Sequence, residues 1–145
     1  MRTAILVSGR GSNLQALMDA VRNGTLAIKI VAVGSDQAGA GALQRAAEAG
    51  ISTVVFQAGD YSSRQAQEED ILGWLREKQI ELLLLAGYMR VLGPQFMSQV
   101  GIPVLNIHPS LLPAFPGLHA QRQAFEYGVK VSGCTVHFVD EGLDS

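Results

Sequence analysis

Asn106 and His108 stand two residues apart at the end of a short apolar run, Ile102-Pro103-Val104-Leu105, that reads as a buried strand. Alternate residues of an extended chain share a face, and Pro109 biases His108 away from helix, so an amide and an imidazole should point the same way. An amide can donate a hydrogen bond to an oxyanion and an imidazole can carry a proton, the pairing that acyl chemistry needs. The same residues would equally serve as a polar strand end entering the proline-braced loop Pro109-Ser110-Leu111-Leu112-Pro113.

A second set of residues suits an anion. Ala4-Ile5-Leu6-Val7 reads as a strand buried on both faces, and Ser8-Gly9-Arg10-Gly11-Ser12-Asn13 follows it. Leu14, Leu17, Met18 and Val21 then fall on one helical face, with Ser12 or Asn13 as the expected N-cap. Strand, glycine-rich loop and helix N-terminus bring free N–H groups and the positive dipole end together. No lysine completes a Walker loop, and Leu14 occupies the place of the third glycine of a dinucleotide fingerprint. A phosphate monoester is the ligand left by this elimination; a plain tight turn is the alternative.

The elements that must position these residues repeat a strand–helix alternation. Ile28–Val33 is the second expected strand, ended by Gly34-Ser35-Asp36. A helix with Leu43, Ala46 and Ala47 on one face should stop at Gly50. Thr53–Phe56 is the third strand and 57–63 a loop. Ser63 should cap a helix bearing Ile71, Trp74, Leu75 and Lys78 along one side. Arg64, in its first turn, reads as solvated or facing a ligand. Leu82–Ala86 is the most apolar strand. After it Gly87-Tyr88-Met89-Arg90-Val91-Leu92 offers either core plugs or a flat apolar slot for an aromatic ligand, and Pro94 suits a helix start. Beyond a short helix carrying Ala124, Phe125 and Tyr127, Val131–Val139 is the sixth strand, with His137 expected as a hydrogen-bonded core residue. His119 reads as exposed or capping, and Cys134 as a small buried hydrophobe.

This alternation predicts a single α/β domain: an open, mostly parallel twisted sheet with helices on both faces. Such sheets bind ligands beyond the carboxyl ends of their strands. If neighbouring strands are parallel, the 8–13 loop, the 87–92 loop, Asn106 with His108, and Asp140–Asp144 share one rim.

Composition agrees with a folded core: 145 residues, 48% apolar and 17% charged. Lys and Arg number 11 against 13 Asp and Glu, so no basic field invites nucleic acid. The lone Cys134 excludes an intramolecular disulfide and argues against a cysteine-rich zinc site. No apolar segment reaches membrane-spanning length and Met1-Arg2-Thr3 runs straight into a strand, so a soluble cytoplasmic chain without a membrane partner is expected.

Ser8–Gln15, Ala86-Gly87-Tyr88-Met89-Arg90, Asn106–Pro113 and Gly133-Cys134-Thr135-Val136-His137-Phe138-Val139, taken together and in register, closely resemble the glycinamide ribonucleotide formyltransferases of purine biosynthesis. The resemblance runs from Arg2 to Asp144, and the asparagine–histidine strand end is shared with the wider formyltetrahydrofolate-using family, including methionyl-tRNA formyltransferase. It implies a Rossmann-like formyltransferase fold. It also implies that Gly11, Ser12 and Asn13 hold the 5′-phosphate of the ribonucleotide, with Gly87 and Pro109 also on the substrate side. The formyl donor, 10-formyltetrahydrofolate, would lie against Met89, Arg90, Val91 and Leu92 and against Val139, Asp140 and Glu141, with Arg64 towards its tail. Asn106, His108 and Asp144 match the catalytic trio: two oxyanion donors, and an acid that supports His108 and helps move the amine proton. No metal is implied, the partner is a small molecule, and a monomer or homodimer is expected.

Two departures accompany the resemblance. Gln121 stands where the family often has histidine. Family members also continue past Asp144 through a glycine-rich turn, a strand and a C-terminal helix, so the 1–145 chain is expected to be one catalytic domain lacking its C-terminal part, with an exposed sheet edge. A tRNA formyltransferase fits the charge less well. A non-catalytic folate- or nucleotide-binding module is the reading from a different class.

Overall fold

The computed structural model describes residues 1–108 and 135–138. Its elements run β1 Arg2–Val7, α1 Ser12–Arg22, β2 Lys29–Ser35, α2 Gly41–Glu48, β3 Ser52–Val55, α3 Arg64–Glu77, β4 Leu82–Ala86, α4 Pro94–Gln99, β5 Val104–His108 and β6 Thr135–Phe138. A short 3-10 turn, Ala58–Asp60, interrupts the loop expected between β3 and α3.

The strands form one sheet in the order β3-β2-β1-β4-β5-β6. The first five are mutually parallel, and β6 pairs antiparallel with β5. Side chains alternate between two dry layers, as a sheet covered on both faces requires. Ile5, Val7, Leu84, Leu105 and Ile107 pack with Leu14 and Leu17 of α1 and with Ala42 and Ala46 of α2. Ala4, Leu6, Leu83, Leu85 and Val104 pack with Ile71, Leu72, Trp74 and Leu75 of α3 and with Phe96 of α4. The doubly covered, mostly parallel sheet read from the alternation is therefore the fold observed.

Local sequence explains most of the boundaries. Ser63 caps α3, its Oγ accepting the Ala66 N–H at 3.1 Å, and Pro94 opens α4. Four expectations change. The N-cap of α1 is Gly11, not Ser12 or Asn13, and no side chain caps it. Ala47 is exposed, so the buried face of α2 is Ala42 and Ala46. β2 continues through Gly34 and Ser35, because Gly34 is a packing position rather than a stop: a Cβ there would sit 2.8 Å from the Phe56 ring. That space admits the edge-to-face pair of Phe56 and Trp74, 5.2 Å between centroids.

The reversed strand is the fourth change. Thr135 stands opposite His108 and Phe138 opposite Leu105, so β6 runs away from the carboxyl rim of the parallel strands. Strand polarity therefore gives no ground for bringing Asp140–Asp144 to that rim.

Candidate functional site

Between β1 and β4 the chain switches direction across the sheet, β1 leading to β2 on one side and β4 to β5 on the other. Loops at such a switch point splay apart and leave a crevice. A cleft of about 450 Å3 opens there, lined by Gly9, Arg10, Gly11, Ser12, Asn13, Ala86, Gly87, Tyr88, Met89, Asn106 and Ile107. This is ordinary for a small-molecule site.

Its first wall is the loop after β1. Gly11 adopts φ +87°, outside the comfortable range of other residues, and the Gln15 N–H donates to its carbonyl at 2.8 Å to start α1. Among the described residues no side chain caps this helix and its first turn carries no acid. The N–H groups of that turn are thus available to an anion. The loop is fixed from behind by α2, where the Ala42 N–H donates to the Gly9 carbonyl at 3.1 Å and Arg45 Nε to the Arg10 carbonyl at 2.7 Å.

The second wall follows β4, where Gly87 turns the chain with φ +72°. The apolar side chains of this loop divide between core and surface. Leu92 is a core plug, whereas Met89, which lines the cleft, is 81% exposed and Val91 is 72% exposed. Ser8 Oγ accepts the Met89 N–H at 2.8 Å and donates to Asp36 Oδ1 at 2.6 Å; Ser8 and Asp36 are both buried. Burial, helped by the Asp36 charge, pushes the Tyr88 phenol above its ordinary value. Arg64 stands half-exposed beside this wall. It pairs with the largely buried Glu68 (3.3 Å) and donates to the Val91 carbonyl.

The third wall is β5. Asn106 is half-buried, lies one row below the end of β4 and pairs in register with Leu85. β5 extends through His108, so positions 106 and 108 both belong to the strand, as the alternation argument requires. The cleft therefore gathers Gly11, Ser12, Asn13, Gly87, Met89 and Asn106. Arg64, Arg90, Val91 and Leu92 belong to the wall after β4 or its brace. Pro109, Val139, Asp140, Glu141 and Asp144 lie outside the described residues, as do His119, Gln121 and Cys134.

Sequence reasoning passed over Ser8, Asp36 and Glu68. Ser8 and Asp36 directly follow strands, which was a usable signal for rim residues. Glu68 falls three residues before Ile71 and four before Leu72, on the buried stripe of α3, where a carboxylate needs a partner. Among the described residues no group of three or more His, Cys, Asp or Glu side chains could hold a metal ion, and no helix is long and apolar enough to cross a membrane.

Comparison with known proteins matches this geometry to a family. The family model described as formyl transferase matches residues 1–145. Phosphoribosylglycinamide formyltransferase of Escherichia coli is 43% identical over 144 residues, covering 99% of this chain and 68% of that protein. The trifunctional purine biosynthetic protein adenosine-3 of Drosophila melanogaster is 49% identical over 146 residues; the match takes in 99% of this chain but 11% of that much longer protein. Among solved structures, glycinamide ribonucleotide transformylase 1 from Symbiobacterium toebii superposes with a TM-score of 0.79 at 46% identity, covering 99% of this chain and 68% of that one. With a switch-point cleft, an uncapped helix N-terminus on one wall and a strand-borne asparagine on another, the chain belongs to the formyl transferase family.

Proposed function

We propose that this chain carries the catalytic site for transferring a formyl group from 10-formyltetrahydrofolate to the amine of glycinamide ribonucleotide, a step of purine biosynthesis. The observation that carries the reading is the convergence of the 9–13 loop, the 86–89 segment and Asn106 on one cleft. The names of the relatives that the chain matches supply the substrate.

The residues fit both ligands. Uncapped N–H groups of Ser12 and Asn13 suit a 5′-phosphate. The exposed Met89 and Val91 offer apolar contact to a flat ring, and the fixed backbone of Met89–Leu92 offers it a hydrogen-bonding edge. Val139, Asp140 and Glu141 complete that side in this reading, and Gly87 and Pro109 line the ribonucleotide side.

The chemistry follows from charge development. Attack of the amine on the formyl carbon places negative charge on the formyl oxygen. Asn106 donates a hydrogen bond to it, and His108, as imidazolium, supplies a second donor. Asp144 holds the imidazolium form and helps move the proton leaving the amine; collapse of the tetrahedral intermediate then breaks the bond between the formyl carbon and the donor's nitrogen, which takes up that proton and leaves as tetrahydrofolate. No metal is needed. The reading carries with it a cytoplasmic enzyme with small-molecule partners, a monomer or homodimer that binds no nucleic acid.

The test is formyl transfer by the 145-residue chain, followed by absorbance, with wild type beside Asn106→Ala. Turnover is expected in the wild type. The variant should lose about 10²–10³ in rate, the usual cost of one oxyanion donor, while still binding a folate analogue. Transfer to an aminoacyl-tRNA and not to the ribonucleotide would replace the substrate assignment. Folate binding with no transfer to either acceptor would make the chain a binding module.

A further inference from the structure

The segment 87–93 belongs to no helix or strand, yet its backbone is held at both ends by buried acids. At the near end Asp36 acts through the Ser8 hydroxyl on the Met89 N–H. At the far end Glu68 Oε2 accepts the Gly93 N–H at 2.8 Å and the Arg64 Nε–H at 3.3 Å, and Arg64 Nη2 donates to the Val91 carbonyl. The Glu68 side chain is 11% exposed and that of Arg64 is 50% exposed. An ion pair with one partner in solvent contributes little stability by itself. A buried carboxylate that accepts a backbone N–H is a different matter, since charge-assisted hydrogen bonds are short, strong and directional. Gly93 is fitted to it: a Cβ at that position would meet Glu68 Oε1 at 3.0 Å.

We propose that Glu68 is a positioning residue for the formyl donor. Through the Gly93 N–H directly, and through Arg64 on the Val91 carbonyl, it fixes the backbone edge that recognises the donor's ring. The inference rests on the functional reading above and gives Arg64 a role that differs from contact with the donor's tail. Neither residue touches reacting atoms. Their effect is geometric, and small displacements of a recognition edge are costly: a shift of about 1 Å can lose about 10² in rate.

Glu68→Ala and Glu68→Gln test this by two measurements on the whole chain: amide hydrogen exchange at Gly93, and KM for each substrate. In Glu68→Ala the Gly93 amide should exchange about tenfold faster or more, while amides of β1 and β4 stay as in wild type. KM for 10-formyltetrahydrofolate should rise about tenfold, with KM for the ribonucleotide within about twofold of wild type. Glu68→Gln keeps an oxygen that can accept the Gly93 N–H, so it should recover protection at Gly93 and part of the donor KM. Arg64→Gln keeps the Gly93 bond and should raise KM equally for donors with and without a glutamate tail. A larger rise for the tailed donor would return Arg64 to tail binding and overturn the Arg64 route.

An unchanged donor KM in Glu68→Ala overturns the proposal. So does an equal rise in both KM values, or faster exchange spread across the whole sheet, which would mean lost stability only. If Glu68→Ala does not fold, the remaining rise in donor KM in Glu68→Gln and in Arg64→Gln carries the test, and an unchanged donor KM in both overturns the proposal. A wild-type chain that neither transfers formyl nor binds a folate analogue overturns the functional reading and the ligand named here with it. Failure confined to the variants overturns the positioning role alone.

Discussion

Ser8 carries one hydroxyl between a buried carboxylate and a part-buried backbone N–H. Its Oγ is the acceptor of the Met89 N–H and the donor to Asp36 Oδ1. In Ser8→Ala Asp36 Oδ1 loses its donor, with Gln37 Nε2 still reaching Oδ2 at 3.4 Å, and the Met89 N–H loses its acceptor, in a place where Asp36 is 4% exposed. Leaving a buried polar group unsatisfied costs about 1–3 kcal/mol, so urea unfolding of the variant should show a loss of that size. A change below about 0.5 kcal/mol, the range of ordinary surface substitutions, would mean that water replaces the hydroxyl and the bridge does not hold the loop. At this scale the sequence was legible where chemistry follows from residue type and local spacing. Asn106 was identified by its strand end, and Gly11, Ser12 and Asn13 by their loop. It was illegible where the partner lies far along the chain. Ser8 and Met89 are 81 residues apart, and Arg64 and Val91 are 27 apart. Nothing local in either pair announces the other, so the contact of the half-exposed Arg64 with a loop carbonyl is not legible in its own segment.

Between elements, the close approach of the phosphate-type loop to α2 is set by two residues with little or no side chain. A Cβ on Gly11 would lie 2.7 Å from both the Cα and the Cβ of Ala42, and the backbone at Gly11 is already at φ +87°. Gly11→Ala therefore combines left-handed strain of about 1–3 kcal/mol with overpacking of about 1–3 kcal/mol. A loss of about 2–6 kcal/mol in urea unfolding is expected, with weaker phosphate binding because the loop must move off the helix. Adding Ala42→Gly should restore only part of that loss, since the contact with the Ala42 Cα and the strained φ remain. Full restoration would show that the Ala42 methyl alone sets the spacing. The same chemistry explains the misread N-cap. Ser12 and Asn13 have the side chains that cap helices, but the turn needs a left-handed residue at position 11, so the helix starts immediately after the glycine. Gly34 failed in the opposite direction. A glycine that opens space for aromatic rings inside a strand is spelled the same way as one that ends a strand.

Across the whole molecule, strand order decides where stability and function coincide, and order is the property that apolar runs do not encode. Thr53-Val54-Val55-Phe56 and Leu82–Ala86 both read as buried strands, yet β3 lies at the sheet edge and β4 at its centre. Val55 is 38% exposed, whereas Leu82, Leu83 and Leu84 are fully buried. The parallel direction of five strands was legible, because each helical crossover between neighbours imposes it. The antiparallel β6 was not, because its polarity depends on how the chain returns from β5 and not on its own residues. The central pair β1 and β4 supplies both the driest part of the core and two of the three walls of the cleft. Damage there should show in stability first, and damage at the β3 edge hardly at all. Leu84→Ala removes a side chain buried among Ile5, Leu105 and their neighbours, and should cost about 2–5 kcal/mol. Val55→Lys places a charge at the solvent side of an edge strand and should stay within about 0.5 kcal/mol. Urea unfolding of the two variants side by side checks the topology as much as the residues. Equal losses would mean that β3 is covered in the working molecule, and that another surface closes the edge which is open in this arrangement.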